Sequence, residues 1–453
     1  MTTERLPSTR LRPRLGVVIS TWSHEDGHEY AAGLRESFPS TAPLEDVELV
    51  MCPTLLEYEK DIPAVVEFFR EQEIDAALLV PGNFTLDHVL PLAAQALDRP
   101  TILWGIPTQQ AWGALVAIHQ TTFPFKELGL PYRYVAGELG DRGTWDKVLR
   151  YARAAAMQRR LKGLRVGLMG WRAQGMSDTI FDELALRETF GVQVVNVGLT
   201  RYTRAIEAIP APQVDEMWKK LKPGFPQGDI EEGVAHYGVR SYLAMQQLAR
   251  EEDLHAVTVE CFHDHLGGPC LGCSLFNDSG VAASCESDVP GALLMAACQL
   301  LSGRPTFHVD IIKADLRANF AILHHCGNLP RRLAEDATAI GLRAIPEHIG
   351  PGAYGPTIQA TMRPGPITIA NLVGRHGSLR VCALEAEAVS YTLEFPGSAA
   401  KAVFPYDLTT ALETLGNAGY GHHFVVMEGH LADDLGEWCR LTGVAFLPIQ
   451  KQD

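Results

Sequence analysis

The chain has 453 residues, of which 46% are hydrophobic and 21% charged, the balance of an ordinary globular protein with room for two or three cores. Asp plus Glu outnumber Lys plus Arg 54 to 39, and the formal net charge of −15 repels phosphate backbones and anionic membranes, so neither a nucleic-acid nor a membrane partner is expected. No apolar run reaches the roughly 18 residues of a membrane span, and the N-terminus lacks the apolar core of a signal peptide. The nine cysteines therefore read as reduced thiols, and the expected location is cytoplasmic.

In chain order, Arg14 to Ser20 predicts a buried strand, Glu29 to Phe38 a helix, and Val47 to Cys52 a second strand. Helical periodicity runs from Ile62 to Glu73, Ala76 to Val80 is a short apolar strand, and another strand ends at Gly105. Strands alternating with helices imply βαβ units and a largely parallel sheet. After the basic helix around Arg159 the pattern restarts. A strand at Arg165 to Gly170 precedes a Gly-containing loop, a helix from Asp178 to Phe190 and a strand from Val192 to Val197. A helix from Glu232 to Glu251 leads into a strand at Ala256 to Glu260, and Cys261 to Asp278 reads as an irregular loop. Beyond about residue 305, short strands at Ile367 to Leu372, Leu379 to Leu384 and Ala388 to Phe395 predict a mainly antiparallel β region, with helices at Leu408 to Leu415 and Leu431 to Leu441. The expected domains are 1–160 and 161–304, both α/β and Rossmann-like in layout, and 305–453, a β-barrel.

The stretch from Ser284 to Pro330 carries the chemistry. Glu286 follows the small, apolar Val281 to Cys285 and precedes a helix that Ser287 or Asp288 can cap, with Pro290 in its first turn and Gly303 at its end. Asp310 closes the next strand, Thr306 to Asp310, and the crossover rule places the two strands in one sheet. Read blandly, Glu286 is a helix cap and Asp310 a turn residue. Read together, they are two carboxylates brought to one place. Imidazoles stand at His324 and His325, and again at His422 and His423. Neighbours in a strand face opposite ways, so at most one of each pair enters a common site. Carboxylates with histidines suit a divalent metal that polarises oxygens while a carboxylate moves a proton. Cys270 and Cys273, with Cys261 and Cys285, offer half of a structural zinc site as the alternative. No dinucleotide fingerprint, P-loop or serine-hydrolase elbow occurs.

Several segments, in order, resemble the superfamily of L-fucose isomerase and L-arabinose isomerase. They are Arg165-Val-Gly-Leu-Met-Gly with Gly175-Met-Ser-Asp and Phe181-Asp-Glu-Leu-Ala-Leu-Arg, Val259-Glu-Cys-Phe, Cys285-Glu-Ser-Asp-Val-Pro-Gly, Phe307-His-Val-Asp, His325-Cys-Gly and Gly421-His-His-Phe. The resemblance implies two α/β domains and a β-barrel, and an aldose–ketose isomerase acting through a cis-enediolate. It implies Mn²⁺, or Mg²⁺ or Co²⁺, held by Glu286, Asp310 and His423. The same two carboxylates are the implied catalytic pair, with His325 or His324 matching a further ligand of the arabinose type. It also implies a homotrimer or homohexamer whose sites are completed by a neighbour's N-terminal domain, for which Trp22, His24, Trp104 and Trp112 are candidate sugar-facing residues. Other enediolate chemistry on a sugar-like substrate, epimerisation or aldol cleavage, shares these groups. A sugar-binding protein without catalysis would need no such set.

Overall fold

The structure, a computed structural model, describes residues 10–228, 230–262, 265, 267–345 and 355–449. It divides into two compact units, Leu11–Arg160 and the chain from Leu161 onward.

In the first unit, β1 (Arg14–Ser20), α1 (His28–Thr41), β2 (Glu48–Met51), α2 (Ile62–Arg70) and β3 (Ala76–Pro81) alternate. α3 (Val89–Leu97), β4 (Thr101–Gly105), α4 (Ala114–Glu127), β5 (Tyr132–Ala136) and α5 (Arg142–Leu161) complete it. The five strands are parallel in the order β2-β1-β3-β4-β5. β3 is buried along its whole length, as a central strand covered on both faces requires. Trp104 belongs to this core. It is fully buried, packs edge-on to Phe38 and Trp145, and donates its indole N–H to Gly137 O at 2.9 Å, so it is no sugar-facing residue in this unit. Trp112 is 77% exposed, and Trp22 and His24 lie in ring contact just beyond β1.

The second unit opens with another parallel sheet. Its elements are β6 (Arg165–Met169), α6 (Glu183–Phe190), β7 (Gln193–Val197), α7 (Leu199–Ala208), α8 (Ala211–Leu221), α9 (Glu232–Glu251), β8 (Ala256–Val259), α10 (Cys270–Asp278), β9 (Ala282–Cys285) and α11 (Val289–Ser302). The strand order is β7-β6-β8-β9. Two expectations change here. Cys261 to Asp278 is not irregular throughout, because its second half is α10, buried from Cys270 to Asn277. The helix expected from Asp178 starts only at Glu183, where Asp182 caps it by accepting from the Leu184 and Ala185 N–H groups.

The remaining elements are β10 (Phe307–Asp315), β11 (Phe320–His325), β12 (Gly341–Ala344), β13 (Pro356–Thr361), β14 (Gly365–Val373), β15 (Arg380–Val389), β16 (Ser398–Val403), α12 (Leu408–Asn417), β17 (His423–Glu428), α13 (Ala432–Thr442) and β18 (Ala445–Ile449). β10, β11, β16, β15, β14 and β17 pair antiparallel in a closed ring, a six-stranded barrel. Closure leaves no edge within the ring. The strands expected at 379–384 and 388–395 are instead one strand, β15, followed by a turn and then β16.

The crossover expectation also fails. β9 ends the parallel sheet, whereas β10 pairs antiparallel with β11 and β17 in the barrel. The reason lies in α11. A returning crossover helix has one apolar stripe, but Val289 to Leu301 is buried on every side, and α11 packs on β8 and β9 as well as on β14 and β17. It is the layer between sheet and barrel, so the chain crosses from one to the other. Nor does Asp310 end its strand, which runs on to Asp315 past an irregularity between Ile311 and Lys313. Leu294, in the middle of α11, is fully buried. Leu294→Ala is expected to lower the unfolding free energy by about 2–5 kcal/mol in urea denaturation; a loss below about 1 kcal/mol would contradict this helix as the central layer.

Candidate active site

Glu286 and Ser287 follow β9 with φ of 60° and 59°, two consecutive non-glycine residues in the left-handed region, each costing about 1–2 kcal/mol. Neighbouring bonds hold this elbow in place. Ser287 Oγ donates to Trp171 O at 2.5 Å, Ser287 N–H donates to Val259 O at 3.3 Å, and Ser284 Oγ donates to Asp288 O at 2.8 Å. Trp171 N–H in turn donates to Glu260 Oε2 at 2.6 Å, tying the ends of β6 and β8 to the elbow. The elbow aims Glu286 at His423, the first residue of β17, whose Nε2 lies 2.8 Å from Glu286 Oε2.

β10 pairs with β17 so that Asp310 lies opposite His423, and His423 Nε2 is 4.0 Å from Asp310 Oδ1. That oxygen is buried and has no hydrogen-bond partner among the described residues. A third carboxylate completes the surround, with Asp288 Oδ2 at 3.2 Å from His423 Nδ1 and at the same distance from His308 Nε2. Glu286, Asp288, His308 and His423 are all buried, and His308 has no exposed surface.

The electrostatics follow from that burial. Desolvation pushes the Glu286 carboxyl up, but the His423 hydrogen bond and the nearby imidazoles outweigh it and hold it at about 2. The Asp288 carboxyl is likewise held well below its usual range against burial, by His308 and His423. Burial pushes the His423 imidazole down, and Asp288 and Glu286 reverse this and hold it well above the ordinary histidine value. His308 and His325 are pushed down by burial, so among these imidazoles His423 is the one whose surroundings favour the charged form. Asp310 goes the other way, pushed up to about 6 by burial and by the Glu286 charge, with His423 opposing. Buried carboxylates of this density need a cation among them.

The pair His324 and His325 separates as strand alternation requires, but His422 and His423 do not. β17 starts only at His423, the rings of His422 and His423 lie 4.0 Å apart, and donor atoms of Glu286, His422 and His423 fall within 4.8 Å of one another. His324 Nε2 donates to Pro396 O at 3.0 Å, away from the cluster. His325 is buried on the cluster side, its Nε2 3.4 Å from Cys285 Sγ, while its Nδ1 accepts from Cys326 N–H at 3.0 Å. Donor atoms of Asp310, His325 and His423 lie within 4.8 Å of one another. His422 sits at the rim with Nδ1 2.5 Å from Asp178 Oδ2, an oxygen that also accepts from His422 N–H. Among the described residues no potential metal-binding group includes Cys270 or Cys273, and the Cys273 thiol donates to Ser284 O.

Sequence reasoning missed three of these residues. Asp288 was visible only as a helix cap, which it also is. His308 had a signal, since it stands two residues from Asp310 in a strand and shares its face. Asp178 is 244 positions from His422, and no local pattern announces the pairing.

No protein-family model matches the chain. It is similar at 21% identity over 410 residues to a sulfoquinovose isomerase of Priestia aryabhattai, with 87% of this chain and 91% of that protein covered. A sulfoquinovose isomerase of a Clostridium species is 26% identical over 379 residues, covering 79% and 83% of the two chains. An L-arabinose isomerase of a Nocardioides species is 24% identical over 341 residues, covering 71% and 67%. Similarity along most of the length, with the paired α/β sheets and closed barrel, defines the class as a sugar isomerase that interconverts aldose and ketose. These likenesses support the superfamily of fucose isomerase-like and arabinose isomerase-like proteins.

The rim pair makes a prediction. The His422 hydrogen bond holds Asp178 at about 2, and Asp178 raises His422 above its ordinary value. The carboxylate's contribution is present above its unfolded pKa of about 3.9 and is lost as pH falls through about 2; the imidazole's is complete below about 6.5 and is lost as pH rises through its raised value. The melting temperature of the wild type minus that of Asp178→Asn is therefore expected to peak between about pH 4 and 6.5. A difference independent of pH would show that the pair is not ionised.

Proposed function

We propose that the chain is a metal-dependent aldose–ketose isomerase acting on a monosaccharide or sugar derivative through a cis-enediolate, with Glu286, Asp310 and His423 as metal ligands and the two carboxylates as the proton-transfer pair. The observation that carries the reading is the orphaned Asp310 Oδ1, buried beside the Glu286–His423 pair. A buried carboxylate oxygen without a donor is the vacancy a cation fills, and two carboxylates with one imidazole suit Mn²⁺, or Mg²⁺ or Co²⁺. When bound, the ion supplies Lewis-acid polarisation of two adjacent substrate oxygens.

The chain's own groups do the rest. One carboxylate takes the proton from C2 of the open-chain aldose, and the freed electron pair forms the C1–C2 double bond as the aldehyde oxygen gains a proton. Return of a proton to C1, with loss of the proton on O2, leaves the ketose. Proton transfer of this kind contributes roughly 10²–10⁴-fold. The strained elbow fixes where Glu286 stands, and burial keeps water from competing for the proton.

The names of the relatives make sulfoquinovose the first substrate to offer. The same reading places the enzyme in the cytoplasm as a homotrimer or homohexamer, and divides the chain into domains at 1–160, 161–304 and 305–453. No helix among the described residues is long and apolar enough to cross a membrane.

Incubation of sulfoquinovose, and of simple aldoses, with the protein and Mn²⁺ in D₂O is expected to give a ketose with deuterium at C1, and re-formed aldose with deuterium at C2, in the proton NMR spectrum. Glu286→Gln is expected to lower turnover by about 10²–10⁴-fold with an unchanged circular-dichroism spectrum. Carbon–carbon cleavage, exchange without ketose, or full activity of the variant would each reject the proposal.

A further inference from the structure

We propose that Asp288 is a positioning residue, one carboxylate that caps α11 and sets the tautomer of His423 at the same time. The inference rests on the reading of His423 as a metal ligand. Its basis is an accounting of acceptors. Asp288 Oδ1 accepts from Gly291 N–H at 2.9 Å, satisfying an orphan donor in the first turn of α11. Oδ2 faces two ring nitrogens at 3.2 Å, His423 Nδ1 and His308 Nε2. A carboxylate only accepts, so both ring nitrogens turned toward it carry hydrogen. His423 is thereby fixed as Nδ1–H, which leaves Nε2, turned toward Glu286 Oε2 at 2.8 Å and Asp310 Oδ1 at 4.0 Å, as the nitrogen that gives up its proton when a metal binds between those groups.

His308 is the second anchor. With Nε2–H committed to Asp288, its Nδ1 faces Cys285 Sγ at 3.9 Å, so the ring is held at both ends with no exposed surface. Its ring centroid lies 4.4 Å from that of His423, and its hydrogen bond keeps Asp288 Oδ2 from turning away from the ligand.

Other residue types fail at position 288 for the same reason. An asparagine offers one oxygen and one NH₂. Whichever way it turns, a donor meets either the Gly291 N–H or the two ring N–H groups. Position 291 is equally constrained. A Cβ there would stand 2.2 Å from Asp288 Oδ2 and 3.2 Å from His308 Nε2, so glycine is what leaves the carboxylate its room. Gly291→Ala therefore displaces the same oxygen without removing a charge.

The test is Mn²⁺ binding to the full-length protein, followed by electron paramagnetic resonance of the free ion and independent of turnover. Asp288→Asn and Gly291→Ala are each expected to weaken binding about 10–100-fold, the usual effect of removing a partner behind a metal-ligating histidine. His423→Ala serves as the reference. If it leaves binding unchanged, the metal-site reading itself falls. If it weakens binding while Asp288→Asn and Gly291→Ala bind as the wild type does, only the positioning role is overturned. A second measurement needs no variant. Long-range ¹H–¹⁵N spectra of the wild type loaded with diamagnetic Mg²⁺ are expected to show His423 protonated at Nδ1, and protonation at Nε2 overturns the proposal whatever the variants do.

Discussion

Three carboxylates share one imidazole at the centre of this molecule, and most of its local architecture follows from keeping them there. His423 lies within hydrogen-bond reach of Glu286 on one ring nitrogen and Asp288 on the other, with Asp310 just beyond. Bringing negative groups together out of water is unfavourable unless a positive charge sits among them. In the protein alone His423 is the imidazole that its partners, Asp288 and Glu286, bias toward the charged form against burial. A divalent ion would supply the same compensation more fully, and would also satisfy the Asp310 oxygen that has no hydrogen-bond partner among the described residues.

The fold solves the placement problem with two rigid pieces and one helix between them. Glu286 and Asp288 come from the end of the parallel sheet, while His308, Asp310 and His423 come from the barrel. α11 joins the pieces and is apolar all round, so the two carboxylate-bearing elements are fixed by packing rather than by a shared ladder. The left-handed backbone at Glu286 and Ser287 turns the chain sharply enough to aim Glu286 back toward the barrel, and its strain is held by bonds to the ends of β6 and β8. Strain retained at such a point is a common mark of a functional site.

Much of this was legible in the sequence, and the failures are informative. Glu286 and Asp310 stood out because small or apolar residues precede each, and the structure brings both to His423. The alternation rule correctly separated His324 from His325, but it failed for His422 and His423, because His422 precedes β17 and its ring packs against that of His423. The route between the carboxylates was misjudged, because the crossover rule was applied to a helix that is buried on every face. α10 was lost behind its Gly and Cys content, since small residues that pack tightly look like loop residues when only propensity is considered. Asp288 and His308 were passed over because each has an ordinary local explanation, a cap and a core histidine. Only the three-dimensional pairing of their polar atoms assigns them more.

The most direct test of the central claim is an anomalous-scattering map from crystals of the protein grown with Mn²⁺. The account predicts a single strong peak bounded by Glu286, Asp310 Oδ1 and His423 Nε2, at about 2.0–2.3 Å from those donor atoms. A saturating Mn²⁺ concentration that gives no peak there, or a peak held by the Cys285, His308 and His325 group instead, would contradict it.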